Sequence, residues 1–267
     1  MKKQMLMIVN PRSGKKRYSD DLLEVTNIFN RHGYNITVMN TTGSGDATRF
    51  ARELGGKYDT VVCRGGDGTF CETLNGLMAL EKRPEIGFIP AGTTNDIAHT
   101  LGLPTNPIKA AQLIVSSEAL PYDIGLFGER YFTYVASFGA FTRSSYSASQ
   151  AAKNALGHFA YILEGLGDLD SLRPYRCAID ADGEHFEGDF IFGAVCNSTS
   201  LGGLVKLDPK HVSMDDGTLE LLLLRMPKNA VELSGLIASL TRMEYDAPGV
   251  IFRHVEHVTL TTDDIIP

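Results

Sequence analysis

The run Thr60-Val61-Val62-Cys63-Arg64-Gly65-Gly66-Asp67-Gly68-Thr69 decides the fold. Its opening residues are apolar on both faces, as a strand covered by helices on either side must be. Glycines at 65, 66 and 68 then let the backbone turn sharply and approach a ligand without Cβ clashes. A helix is expected to begin near Thr69, with its clearest pattern over Glu72–Leu80. Strand, glycine turn and helix is where a parallel α/β sheet binds ligands, at the carboxyl ends of its strands, and a helix N-terminus suits a phosphate. Asp67 then needs a reason. A carboxylate among phosphates is costly unless it orients a metal, a metal-bound water or a donor, so Mg²⁺ is the natural third party. A plain Gly-Asp-Gly turn is the competing reading. The run is neither a Walker loop nor a Gly-x-Gly-x-x-Gly fingerprint.

Outward from this run, strand and helix patterns alternate. Before it come strands at Met5–Val9 and Tyr34–Met39 and helices at Leu22–Phe29 and Ala47–Leu54. After it come a strand at Ile86–Ile89, helices at Asp96–Leu101 and Pro107–Val115, and a strand ending at Asp123. Two further loops stand in the same place as the glycine run: Asn10-Pro11-Arg12-Ser13-Gly14-Lys15, and Ile89-Pro90-Ala91-Gly92-Thr93-Thr94-Asn95-Asp96. Each alone could be a turn or a helix cap. Together, after three separate strands, they should lie along one sheet edge and enclose a single site.

Beyond Gly125 the texture becomes β-rich, with strands expected over Tyr131–Phe138, Tyr175–Ile179, Gly188–Cys196, Leu219–Leu224, Val250–Val255 and His257–Thr261. Helical patterns interrupt it at Ala155–Gly167 and Ala230–Leu240. With 267 residues, two domains fit better than one: an α/β nucleotide-binding domain over 1–125 and a β-rich domain over 126–267.

Apolar residues make up 43% and charged residues 21%, the balance of a chain that buries a core. A net charge of −7 gives no global field for nucleic acid, although Lys2, Lys3, Arg12, Lys15, Lys16 and Arg17 crowd the N-terminus. The cysteines, Cys63, Cys71, Cys177 and Cys196, form no Cys-x-x-Cys pair and fit a reduced, cytoplasmic protein. No apolar run approaches the ~18 residues of a membrane span, and Met5–Val9 is too short for an export signal. His254 and His257, three apart on a strand, point to opposite faces and should not share a metal. Tyr131-Phe132-Thr133-Tyr134 reads as sheet core rather than as a lipid groove.

The succession of Asn10–Gly14, Gly65–Thr69, Gly92–Asp96 and Asp123-Ile124-Gly125 resembles the diacylglycerol kinase catalytic family, in particular its soluble bacterial lipid kinases. Met214-Asp215-Asp216-Gly217 extends the likeness into the second domain. The resemblance implies an N-terminal parallel-sheet domain of NAD kinase/diacylglycerol kinase type, a C-terminal β-sandwich-like domain, and ATP in the cleft between them. It places ATP contacts on Asn10, Pro11, Arg12, Ser13 and Gly14, on Thr41, on Gly65, Gly66, Asp67, Gly68, Thr69, Phe70 and Cys71, and on Thr93. Asp67, Asp96 and Asp123 match the family's functional acidic positions, which organise Mg²⁺, its waters and the reacting groups. A structural Mg²⁺ would be held by Asp216 with the carbonyls of Ser213 and Thr218.

The activity so implied is transfer of the ATP γ-phosphoryl to a lipid hydroxyl, diacylglycerol giving phosphatidic acid. Its agent would be a cytoplasmic protein in peripheral contact with the membrane surface, with a homodimer compatible. Two substitutions depart from the family pattern: His99 stands where arginine is common and Cys71 where asparagine is common. The family's general base is expected in an Asp-Gly-Glu segment past Asp263-Asp264-Ile265-Ile266-Pro267. Two other readings therefore stay open: an ATP-binding regulatory module without turnover, and a soluble-substrate kinase of NAD kinase type.

Overall fold

The computed structural model describes residues 2–14, 19–93, 95–139, 172–201 and 205–266. The chain divides into two units, Met1–Pro121 with Leu126–Tyr131, and Tyr122–Gly125 with Phe132–Pro267.

The first unit is built on a four-stranded parallel sheet in the order β2-β1-β3-β4. Its elements are β1 (Lys3–Val9), α1 (Ser19–Arg31), β2 (Tyr34–Asn40), α2 (Asp46–Leu54), β3 (Thr60–Gly65), α3 (Asp67–Met78), β4 (Glu85–Pro90), α4 (Asp96–Thr100) and α5 (Pro107–Ser116). Side chains alternate across β1, so Leu6 and Ile8 join Val61, Phe50 and Leu77 on one face, where α2 and α3 cover the sheet. Met5, Met7 and Val9 join Val62, Ile89, Val25, Phe29, Ala110 and Ala111 on the other, under α1 and α5. β3 is buried along its whole length, as the two-faced apolar run requires. Register sets the site: Val9 lies opposite Arg64, and Gly65 opposite Pro90, so the strands end level and their loops leave from one edge.

A short hairpin, β5 (Gly125–Phe127) with β6 (Arg130–Phe132), follows. The second unit then contains β7 (Val135–Gly139), β8 (Tyr175–Ala181), β9 (Glu184–Cys196), β10 (Ser200–Leu201), β11 (Val205–Lys206), β12 (Leu219–Arg225), α6 (Ala230–Arg242), β13 (Val250–Val255) and β14 (Val258–Thr262). Its main sheet is antiparallel, β13-β12-β9-β8-β14, with β7 also on β9. The 13-residue β9 serves two layers. Its first half pairs with β8, from Glu184↔Ala181 to Phe190↔Tyr175, and its second half pairs with β7 and β12. Gly188, at φ 141, lies at the bend, where a non-glycine residue would be strained. Only Glu256 and His257 separate β13 from β14, which stand at opposite ends of the strand order, so the two edges must come together and the sheet curls into a sandwich. Phe138, Tyr175, Ile179, Phe190, Leu221, Leu223 and Ile251 fill one core. The other face of β12 packs Leu222 and Leu224 beside Leu236 and Leu240 of α6, which explains why β12 is apolar on both sides.

Three expectations change. The stretch before Asp123 is irregular and not a strand, because Tyr122 and Asp123 are fixed by hydrogen bonds to loop carbonyls instead of by a sheet ladder. Tyr131–Phe138 is two strands, β6 and β7, interrupted at Thr133-Tyr134. Helix α3 begins at Asp67, because extended Gly66 already caps it. The helix expected at Ala155–Gly167 lies outside the described residues.

Candidate active site

The three loops at the carboxyl edge of the first unit's sheet are stitched together. Asn10 N–H donates to the Arg64 carbonyl at 2.9 Å, and Ala91 N–H to the Gly65 carbonyl at 2.7 Å. The Asn10 side chain donates to Thr69 Oγ1 at 3.0 Å while its Oδ1 accepts from Arg12 N–H, so one residue ties the first loop to the second. Asn95, buried and in the left-handed region at φ 52, accepts from Gly92 N–H at 2.7 Å and closes the third.

The first two loops, the Thr41–Ser44 segment and Glu72 line a cavity of about 400 Å³, whereas the third loop, expected to share it, supplies no lining residue among those described and braces the second through Ala91 N–H. The cavity is of ordinary size for a small-molecule site. Of the residues singled out from sequence, Asn10, Arg12, Ser13, Thr41, Gly66, Gly68 and Thr69 line it. Gly68 and Thr69 lie in the first turn of α3, where N–H groups lack intrahelical acceptors and can meet an anion. Pro11, Gly14, Gly65, Asp67 and Thr93 are not among the lining residues. Phe70 is buried and packs on Phe88, ring centroids 4.7 Å apart, which is a core role. Cys71 is half-buried, its Sγ contacting the Tyr131 carbonyl at 3.5 Å. Lys15, Lys16, Arg17 and Thr94 lie outside the described residues.

Glu72 and Asp46 were not read from the sequence. Glu72 accepts from Ser44 Oγ at 3.1 Å and Gly45 N–H at 3.0 Å, pinning the Thr41–Gly45 loop to α3. Asp46 accepts from Thr42 N–H, Thr42 Oγ1 and Gly43 N–H, and with Arg49 beside it its carboxyl is held well below the usual range. A Thr-Gly-Ser-Gly-Asp turn just before a helix was the available signal.

Asp67 and Asp96 are brought together. Asp67 Oδ2 accepts from Asp96 N–H at 3.1 Å and Oδ1 from Ile97 N–H at 3.2 Å, so Asp67 caps α4 from another helix. Burial, and then the nearby Asp67 charge, push the Asp96 carboxyl above its ordinary value. His99 lies on the same short helix and is exposed.

Asp123 belongs to the second unit. Its Oδ2 accepts from Gly217 N–H at 2.7 Å, its N–H donates to the Met214 carbonyl at 2.7 Å, and the Asn197 amide holds its carbonyl at 2.7 Å. The Ser213–Thr218 loop thus positions Asp123. Within that loop Asp216 Oδ1 accepts from Thr218 N–H at 3.0 Å and Thr218 Oγ1 at 2.8 Å, which holds its carboxyl below the ordinary value. Below the loop, Glu220 of β12 is fully buried, and burial pushes its carboxyl up to about 8. A carboxylate with adjacent backbone carbonyls is an oxygen donor set that fits a hard divalent cation.

An Asp-Gly-Glu run occurs within the chain, at Asp182–Glu184. It forms the β8–β9 turn, with Asp182 and Gly183 at positive φ. Asp182 accepts from Glu256 N–H and His257 N–H, both at 2.8 Å, and Glu184 pairs with Arg253 at 2.7 Å. Both carboxylates therefore hold the β13–β14 crossing. His254 donates to the His211 carbonyl at 2.7 Å, and His257 lies 3.8 Å from Asp182.

Comparison with known proteins agrees with this layout. Residues 4–127 match the diacylglycerol kinase catalytic domain, and residues 135–267 match the YegS C-terminal NAD kinase beta sandwich-like domain. A diacylglycerol kinase of Bacillus subtilis (strain 168) is 39% identical over 84% of this chain and 74% of its own length. One from Staphylococcus carnosus (strain TM300) is 33% identical over 100% of this chain and 87% of its own length. A crystal structure from Bacillus anthracis str. Sterne, assigned there as a candidate diacylglycerol kinase, superposes with a TM-score of 0.82 at 27% identity, covering 98% of this chain and 87% of that one. On these matches the chain belongs to the diacylglycerol kinase family, as a kinase of its two-domain, β-sandwich-bearing type.

Proposed function

We propose that this protein transfers the γ-phosphoryl of ATP to the hydroxyl of diacylglycerol, giving phosphatidic acid. The observation that carries this reading is the cavity of about 400 Å³ walled by residues of Asn10–Ser13, Thr41–Ser44 and Gly66–Glu72, within the part of the chain that matches the diacylglycerol kinase catalytic domain. The triphosphate is assigned to Asn10–Gly14, Gly66–Thr69 and the Thr41–Ser44 segment, where backbone N–H groups and the Arg12 side chain meet negative charge. Asp67 and Asp96 are assigned to orienting the reacting groups through hydrogen bonds. Asp123 is assigned a part in the reaction by its match to the family's acidic position, with the Ser213–Thr218 loop fixing its carboxylate. Mg²⁺ is assigned to Ser213, Asp216 and Thr218, where it would draw the loop that fixes Asp123 into one geometry. No general base is assigned among the described residues.

Among the described residues no helix is long and apolar enough to cross a membrane. We place the protein at the cytoplasmic membrane surface, in peripheral contact with its lipid. The test is [γ-³²P]ATP, Mg²⁺ and diacylglycerol mixed micelles, with and without the Gly66→Val substitution. Labelled phosphate should appear in the organic phase as phosphatidic acid, and the substitution should remove it. Label confined to water-soluble products would replace this reading with a soluble-substrate kinase. ATP binding without any product would replace it with a regulatory module.

A further inference from the structure

We propose that Glu220 is part of the divalent-cation site of the second unit, as the buried carboxylate that accepts hydrogen bonds from water held by a cation at Ser213, Asp216 and Thr218. This rests on the assignment of a cation to that loop and adds a residue to it.

Glu220 is 0% exposed on a strand whose next residues, Leu221–Leu224, are all buried and apolar. A carboxylate persists in such a place when donors or a cation meet its oxygens. Among the described residues neither Oε1 nor Oε2 receives a hydrogen bond. The backbone N–H groups of Glu220 itself, Ser198 and Ser213 face the carboxylate and partly offset its burial, but none makes a hydrogen bond of good length and angle to it, and Asp216 adds a second negative charge nearby. Opposite Glu220 in the ladder stand Cys196 on β9 and His254 on β13, the latter already committed to the His211 carbonyl.

A second acceptor independently lacks a donor. Asn197, 1% exposed and next to Cys196, sends its amide N–H groups to the carbonyls of Asp123 at 2.7 Å and Met214 at 3.4 Å. That fixes which end of the side chain is oxygen, and this Oδ1 has no partner among the described residues. Two buried side chains, one on Glu220 and one on the residue after its ladder partner Cys196, thus present acceptor oxygens that complete no hydrogen bond among the described residues. Water alone would supply donors without adding positive charge between Asp216 and Glu220, where the nearby group able to carry such charge is His254. Water on a divalent cation supplies both, and the oxygen-rich loop that would hold the ion adjoins the same strand.

The test uses the whole chain without nucleotide, titrated with Mn²⁺ and followed by the loss of the free-ion electron paramagnetic resonance signal, with Mg²⁺ as competitor. Asp216→Asn gives the background binding of an acidic surface. The wild-type chain should bind Mn²⁺ above that background. Glu220→Gln, folded by circular dichroism, should bind about 10- to 100-fold more weakly than wild type, as loss of an outer-shell partner does. Wild-type affinity in Glu220→Gln, with binding lost in Asp216→Asn, overturns the role of Glu220 and leaves the loop site standing. No wild-type binding above the Asp216→Asn background overturns both. If Glu220→Gln does not fold, Glu220→Asp, which keeps the charge on a shorter arm, should bind measurably more weakly, and unchanged affinity there overturns the proposal.

Discussion

Gly92 has no room for a β-carbon, which would sit 2.7 Å from Gly66 Cα and 2.8 Å from Asn95 Oδ1. In Gly92→Ala the second and third loops must separate, which should cost about 1–3 kcal/mol of stability and weaken ATP binding at least tenfold. Gly68→Ala, whose added carbon meets nothing within 4 Å, should leave stability unchanged. Urea unfolding and calorimetric ATP titration of the two variants check this. To the role proposed for Asp67 the structure adds a cap on α4. The surroundings of Asp67 predicted a metal-orienting charge, but the contact with Asp96 and Ile97 N–H needed the structure, because it joins loops about 30 residues apart. Asp67→Asn turns a donor toward one of those N–H groups and should cost about 1 kcal/mol as a lost cap, together with a large fall in turnover. A stability loss with near-normal turnover at limiting Mg²⁺ would leave Asp67 as a cap alone. Cys63, 0% exposed with its thiol pushed up to about 12 by burial, is expected to resist alkylation at pH 8 while half-buried Cys71 reacts first. Since this raised value keeps the folded form protonated, Cys63 costs no stability below its ordinary 9.0 and an increasing amount from there up to about 12. Peptide mapping of iodoacetamide adducts and alkaline unfolding of Cys63→Ala measure the two effects.

At the scale of elements, the strands and helices of the first unit were readable because period-two and helical patterns coincide with glycine turns at the strand ends, as at Gly65 and Gly92. The second unit was read as β-rich, yet its closure was not visible. Nothing in the Asp182-Gly183-Glu184 run announces that the turn of one hairpin caps the crossing of another, since its partners are backbone N–H groups far along the chain. Asp182→Ala should therefore destabilise the chain by about 1–2 kcal/mol, two charge-assisted hydrogen bonds discounted for partial exposure. Hydrogen exchange should rise first at Glu256 and His257. Glu220 was likewise illegible: in Leu219-Glu220-Leu221 an isolated carboxylate reads as the solvent-facing position of an alternating strand, and only α6 over the outer face and the loop above it leave Glu220 without solvent.

For the whole molecule, ligand linkage gives a direct measurement. ATP at 100 times its Kd should raise the stability of the first unit by about 2.7 kcal/mol, because only the folded loops bind it. Exchange protection at 9–14, 40–45 and 64–72 should appear together, and protection of one loop alone would break the single-site reading. The two units also differ in when they can exist. All strands of the parallel sheet are complete by Pro90, and the helices packed on it by Ser116. The sandwich is otherwise: β8 receives its outer neighbour only when β14 arrives, with Cys177 waiting for Thr262. A chain emerging from the ribosome can thus shape its nucleotide cavity early, while the edge of β8 stays open until almost all of the present sequence has been translated. During that interval the open edge is a template for strands of other chains, so slowed synthesis or heat should expose the second unit, before the first, to aggregation.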